Sequence, residues 1–210
     1  MPGGIPRAVE AVIAGVGLVV ASPFIAASAL FVKATSAGPA FFRQQRIGRG
    51  GRPFTLYKLR TMRLSEEGPL VTARGDSRVT PVGRFLRRSK VDELPQLWNV
   101  VRGDMSLVGP RPEVRRYVEP GDPVWRQILA VRPGITDPVT LELRDEESVL
   151  AAAPGDPERF YRERLLPAKL RSYAAYLDRR SAWSDVAVLY KTAIAVLIPR
   201  SRRPTSSPTL

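Results

Sequence analysis

Residues 87–112 read RRSKVDELPQLWNVVRGDMSLVGPRP, and the rest of the chain takes its meaning from them. Asp92 and Glu93 precede a run whose apolar residues, Leu94, Leu97, Trp98 and Val101, recur at the i, i+3, i+4, i+7 spacing of one helical face. The spacing predicts a helix of about ten residues. Pro95 fixes its start, because proline is tolerated only in the first turn, where its missing N–H has no partner to lose. Asp92 as N-cap meets that condition. Ser89 as N-cap would put Pro95 in the helix interior at a cost of about 3 kcal/mol. Gly103 closes the run as a residue just past a helix end.

The two carboxylates therefore fall at the positive end of a helix dipole, which favours their ionised form and any phosphate brought beside them. Arg87 and Arg88 precede the pair. After it, a predicted strand over residues 105–108 leads into Gly109-Pro110-Arg111-Pro112, where flanking prolines hold Arg111 extended. A guanidinium on a stiff backbone suits bidentate phosphate binding. Each feature taken singly has a plainer explanation: surface acids compensating a dipole, and a solvated arginine in a proline turn.

Taken together, the segment resembles the bacterial sugar transferases, the small monotopic phosphoglycosyl transferases that load polyprenyl phosphate with a sugar 1-phosphate. The resemblance is carried by residues 92–100 (DELPQLWNV), 103–112 (GDMSLVGPRP), 57–62 (YKLRTM) and 132–136 (RPGIT), and it extends from the apolar N-terminus to about Thr192. It implies an α+β fold: a re-entrant membrane helix-break-helix over residues 1–35, then a small mixed helical and β catalytic domain over 36–199 with interfacial amphipathic helices. A basic, Pro/Ser-rich tail, disordered by composition, covers 200–210.

The chemistry that the resemblance implies is attack by Asp92 on the β-phosphate of a nucleotide diphosphosugar, with UDP the expected nucleotide. UMP leaves, and polyprenyl (undecaprenyl) phosphate then displaces the phosphosugar from the carboxylate, initiating exopolysaccharide, capsule, O-antigen or glycoprotein glycan assembly. Mg²⁺ on Asp92 is the expected cofactor. Glu93 positions the nucleophile or assists a proton transfer, Lys58, Arg87 and Arg111 bind phosphates, and Arg132 meets the donor's diphosphate or uridine. After Thr136 the chain departs from the commonest family version, which bears on which sugar is used.

Composition agrees with an anion-handling enzyme. The formal net charge is +13, which points to nucleic acid, an anionic membrane surface or phosphorylated substrates without choosing among them. With no Cys there is neither a disulfide framework nor a thiol nucleophile, and with no His the commonest general base is missing. Carboxylates must do any acid–base work.

Residues 11–32 carry no charge, and as one helix would rise about 33 Å, enough to span a bilayer core. Ser22-Pro23 divides the stretch into halves of one leaflet each, and the Ser22 hydroxyl can serve a carbonyl that Pro23 frees. The break permits a hairpin that enters and leaves by the cytoplasmic face of the bacterial inner membrane, with membrane lipids as partners. Basic flanks and a basic following domain favour that side. A kinked full span and a cleaved signal peptide ending near Ala27-Ser28-Ala29 are the competing readings.

Gly50-Gly51 predicts a hairpin turn. In the strand after it, alternation puts Phe54, Leu56, Lys58 and Arg60 on one face, so two cations share a side with apolar packing and can reach an anion in a pocket. A basic strand edge that deters aggregation is the plainer alternative. Residues 65–78 read as a loop and 82–88 as a short basic helix. In the C-terminal third, helices are expected over 158–177, restarted at Pro167, and from a Ser184-Asp185 cap to about Ile198. Trp183, Tyr190 and Lys191 have the makeup of an interfacial belt. The rivals from other classes are a nucleic-acid-binding protein using residues 43–63 and a non-catalytic membrane scaffold. On the transferase reading no nucleic acid is expected, and a homo-oligomer is left open.

Overall fold

The computed structural model describes residues 3–64, 71–142 and 146–197, an α+β arrangement of one long apolar helix packed against a mixed helical and stranded domain. Helix α1 (Arg7–Thr35) runs through Pro23 as one element, so the expected break at Ser22-Pro23 is not seen as an interruption. Pro23 has no N–H for the Val19 carbonyl, and the Ser22 hydroxyl donates to that carbonyl at 2.7 Å, as anticipated.

Both ends of α1 are fastened to the domain. Near its start, Arg7 donates to the carbonyls of Val100 and Val101, and the buried Glu10 carboxylate accepts from the Leu107 N–H at 3.0 Å. At the other end Val32 packs with Leu59 and Leu86, and Arg60 donates to the carbonyls of Ser36 and Ala37. Between these anchors the outer face is apolar and bare, with Val12, Val16, Val20 and Phe24 exposed and Val19 72% exposed. Among the described helices α1 alone has the length and hydropathy to cross a membrane.

Strands β1 (Phe41–Ile47) and β2 (Pro53–Leu59) pair antiparallel across the predicted turn, where Gly50 and Gly51 have φ of +70° and +74°. Helix α2 (Pro81–Ser89) starts where the Thr80 hydroxyl accepts from the Gly83 N–H at 2.9 Å. It lies directly on the chain leaving β2, since a Cβ on Gly83 would come within 1.9 Å of the Thr61 carbonyl oxygen. Helix α3 (Gln96–Arg102) ends at Gly103 with φ +91°, as predicted. Buried Asn99 staples α3 to β2: its Oδ1 accepts from the Tyr57 N–H at 3.2 Å and its Nδ2 donates to the Thr55 carbonyl at 2.7 Å. That pairing sets β2, and Lys58 with it, against the start of α3.

The predicted strand forms as β3 (Ser106–Val108), pairing in parallel with β4 (Gly134–Thr136). Beyond β3 the two chains touch backbone to backbone, with the Gly134 N–H donating to the Pro110 carbonyl at 3.0 Å. A Cβ on Gly134 would sit 2.1 Å from the Gly109 nitrogen, so only glycine lets the Arg111 loop settle here.

Helices α4 (Pro123–Leu129), α5 (Pro138–Glu142), α6 (Glu146–Ala151) and α7 (Pro157–Phe160) precede a π turn over Tyr161–Leu165 and α8 (Leu166–Asp178). Pro167 falls in the first turn of α8, so the predicted restart holds with a wider turn before it. Trp125, Ile128, Tyr161, Leu165, Leu170 and Tyr173 form this half's core.

The cap of α9 (Ala182–Leu197) differs from expectation. Ser181, not Ser184-Asp185, accepts from the Ser184 N–H at 3.1 Å, while Asp185 turns inward to Arg180 at 2.8 Å and is fully buried. A charge-assisted bond to a buried guanidinium outweighs one N–H at a wet helix end. Residues 65–70 of the expected loop, residues 143–145 and the tail over 200–210 lie outside the described residues.

Candidate active site

The acidic pair sits where α2 gives way to α3. Lys90 takes a left-handed turn, residues Val91–Glu93 wind as one 3₁₀ turn, and Pro95 holds the N-cap position of α3 with no side-chain cap. Asp92 is thus not the N-cap predicted from sequence. A cap needs extended backbone. Here the left-handed Lys90 reverses the chain earlier, so residues 91–95 already coil and the Asp92 carboxylate faces inward. It is 6% exposed, and among the described residues Oδ1 is buried with no hydrogen-bond partner.

Glu93 is paired instead. Its Oε1 accepts from Lys58 Nζ at 3.0 Å and from Arg111 Nη2 at 2.6 Å. These bonds join three elements distant in sequence: β2, the turn before α3, and the loop after β3. Burial drives the two carboxyls alike, but their partners separate them. Burial raises the Asp92 carboxyl, opposed by the Lys58 charge and assisted by that of Glu93. It also acts to raise Glu93, yet Arg111 and Lys58 overcome it and hold Glu93 well below the usual carboxylate range. Lys58 is pulled down to about 8 by burial, with Glu93 opposing. Glu93 pushes the Arg111 guanidinium further up. One carboxylate is locked as an anion between two cations, and the other is desolvated with an oxygen to spare.

Arg87, on α2, donates to the Thr61 hydroxyl at 2.9 Å and to Glu147 of α6 at 2.7 Å, and its charge acts on Asp92. Arg60 is not brought to the pair. Strand β2 ends at Leu59, so the alternation that would align Arg60 with Lys58 stops one residue short. Its guanidinium turns to the bare carbonyls past the end of α1. Nor is Arg132, whose Nε donates to the Gly103 carbonyl at 3.1 Å, at the end of α3 remote from Asp92. A helix C-terminus, with its unpaired carbonyls, attracts a guanidinium.

Sequence reading passed over Lys90, Gln96 and Asp137. Lys90 charges the rim of the pair. Gln96 lies one turn after Asp92, 2% exposed, with Nε2 buried and unpartnered among the described residues; its place four residues on was the available signal. Asp137, fully buried, accepts from the Thr140 N–H and hydroxyl and adds its charge behind Arg111. No local pattern marks it.

For a divalent cation, the described residues gather no group of three His, Cys, Asp or Glu. They do leave the bare Asp92 oxygen. Mg²⁺ is commonly held by one or two carboxylates together with substrate phosphates, and this donor set fits that mode. The arrangement can present a desolvated carboxylate to a phosphoryl group whose oxygens are met by cations.

The model of the bacterial sugar transferase family matches residues 3–199. The UDP-glucose:undecaprenyl-phosphate glucose-1-phosphate transferase of Caulobacter vibrioides is 38% identical over 196 residues, 91% of this chain and 69% of that protein. The UDP-N-acetylgalactosamine-undecaprenyl-phosphate N-acetylgalactosaminephosphotransferase of Aeromonas hydrophila is 36% identical over 198 residues, covering 92% of this chain and 44% of its own length. The UDP-glucose:undecaprenyl-phosphate glucose-1-phosphate transferase of Escherichia coli is 43% identical over 139 residues, 62% of this chain and 29% of that protein. The chain thus spans under half the length of two of these three relatives.

Proposed function

The chain belongs to the bacterial sugar transferase family, and from that premise we propose that it transfers a sugar 1-phosphate from a UDP-sugar to undecaprenyl phosphate through a phosphosugar carried on Asp92. The observation that supports this reading best is the buried Asp92 carboxylate with one bare oxygen beside a carboxylate already neutralised by Lys58 and Arg111. In the first half-reaction an Asp92 oxygen forms a bond to the β-phosphorus as the bond from that phosphorus to the bridging oxygen breaks, and UMP departs with that oxygen and the bond's electron pair. In the second, a phosphate oxygen of the acceptor forms a bond to the same phosphorus, and the acyl phosphate bond breaks to return Asp92 as a carboxylate. Two displacements replace one difficult transfer.

Lys58 and Arg111 meet the phosphate oxygens. Glu93, ionised and doubly bonded, holds those cations in place, a positioning role that its lowered pKa suits better than proton transfer. Mg²⁺ held by Asp92 and the phosphates would screen their mutual repulsion. UMP release is the direct test: purified protein with Mg²⁺ and undecaprenyl phosphate is screened against a panel of UDP-sugars. Release with at least one donor is expected, and none with any donor would sink the reading.

We read α1 as a re-entrant anchor in the cytoplasmic leaflet. Both its ends bind the same domain, and a bare apolar face lies between them. A span fully across the bilayer would part those ends. Tags at residues 1 and 210 should then both resist impermeant label from outside the cell; an externally labelled N-terminus with a protected C-terminus rules this topology out.

A further inference from the structure

Lys90 is the only non-glycine residue with positive φ among the described residues, at φ 59°, ψ 12°. For a residue with a Cβ that conformation is strained, a cost which glycine avoids and asparagine reduces. The backbone explains the conformation: the Lys90 N–H donates to the Arg87 carbonyl at 3.2 Å and its carbonyl accepts from the Glu93 N–H at 3.1 Å, which turns the chain from α2 into the acidic pair. It does not explain the side chain, since glycine would make the same two bonds with less strain. The side chain is exposed, and among the described residues its ammonium has no hydrogen-bond or ion-pair partner. Strain that persists beside a reactive pair is a pointer to use.

Charge gives the second argument. Lys58, Lys90, Arg87 and Arg111 all act on the acidic pair, four cations against two carboxylates. Glu147 meets the Arg87 charge and Asp137 backs that of Arg111, so among the described residues the Lys90 charge is the one with no carboxylate bonded to it or set behind it. A phosphate monoester brings about 1.5 to 2 negative charges at neutral pH, and a diphosphate about one for each phosphate. Three of these cations are wholly or partly engaged with Glu93, Thr61 or Glu147. Lys90 alone is uncommitted.

We propose that Lys90 is a substrate-binding residue whose ammonium receives a phosphate group at the mouth of the Asp92–Glu93 site. This rests on the transferase reading and adds to it a residue that the sequence did not offer. The phosphate belongs either to the donor's diphosphate or to the acceptor's monophosphate, and kinetics separates the two.

The test uses the full chain and a UDP-sugar that the wild type turns over, with KM measured separately for donor and acceptor. Lys90→Gly and Lys90→Asn keep the left-handed turn and drop the charge. Losing one charge-assisted phosphate contact should raise KM about tenfold for the substrate it binds, with a smaller change in kcat and in the other KM. Melting temperature should hold or rise in both variants, because strain is relieved. Lys90→Arg should restore most of the loss. Both KM values within twofold of wild type in Lys90→Gly and Lys90→Asn would overturn the proposal, as would a KM rise that tracks a lowered melting temperature and is not rescued by arginine. Wild-type turnover in the same assay carries the transferase reading, so unchanged KM values in the variants would count against Lys90 alone.

Discussion

Asp92→Asn should leave a folded protein that forms no phosphosugar adduct and turns over at least roughly 10⁴-fold more slowly, the scale of losing a nucleophile. Wild-type enzyme given UDP-sugar without acceptor should release at most one UMP per active site, with the label recovered on the peptide carrying Asp92. The substitution is mild structurally. Asp92 caps no described helix and its Oδ1 is buried and unbonded among the described residues, so a neutral amide removes a desolvated charge and melting temperature should hold or rise. If Asp92 only held a metal while the acceptor attacked directly, UMP release would depend strictly on undecaprenyl phosphate and no peptide would be labelled. That outcome retains the family and overturns the covalent step.

The next largest effect is expected for Arg111→Lys, a fall in kcat/KM of about 10²-fold or more. Arg111 reaches Glu93 at 2.6 Å from a loop stiffened by Pro110 and Pro112 and seated on Gly134. An ammonium on that loop offers a point charge where the guanidinium offers a fork, so it can satisfy Glu93 or a phosphate oxygen but not both in the same geometry. Glu93→Gln is the poorer probe, since it disturbs Lys58 and Arg111 together. Near-normal turnover in Arg111→Lys would remove the fork from the mechanism.

Local chemistry was legible in the sequence wherever it depends on backbone dihedrals or short-range periodicity. Gly103 ended a helix and Gly50-Gly51 turned a hairpin because left-handed backbone favours glycine. The Ser22 hydroxyl met the carbonyl that Pro23 leaves free, since both lie within one helical turn. Family membership was legible too, because its motifs are contiguous.

Tertiary packing decided which cation meets which anion. Strand alternation placed Arg60 beside Lys58, but the strand stopped at Leu59 and Arg60 went to the end of α1. Arg132 went to the far end of α3. Lys58 and Arg111, 53 positions apart in the chain, meet on one Glu93 oxygen because Asn99 ties α3 to β2 and two glycines let the 109–112 loop close onto β4. A chain this rich in arginine offers many partners for each carboxylate, and their energies at the sequence level are the same. Burial breaks that degeneracy: only the cations brought into low dielectric beside Asp92 and Glu93 gain enough from the pairing to define the site.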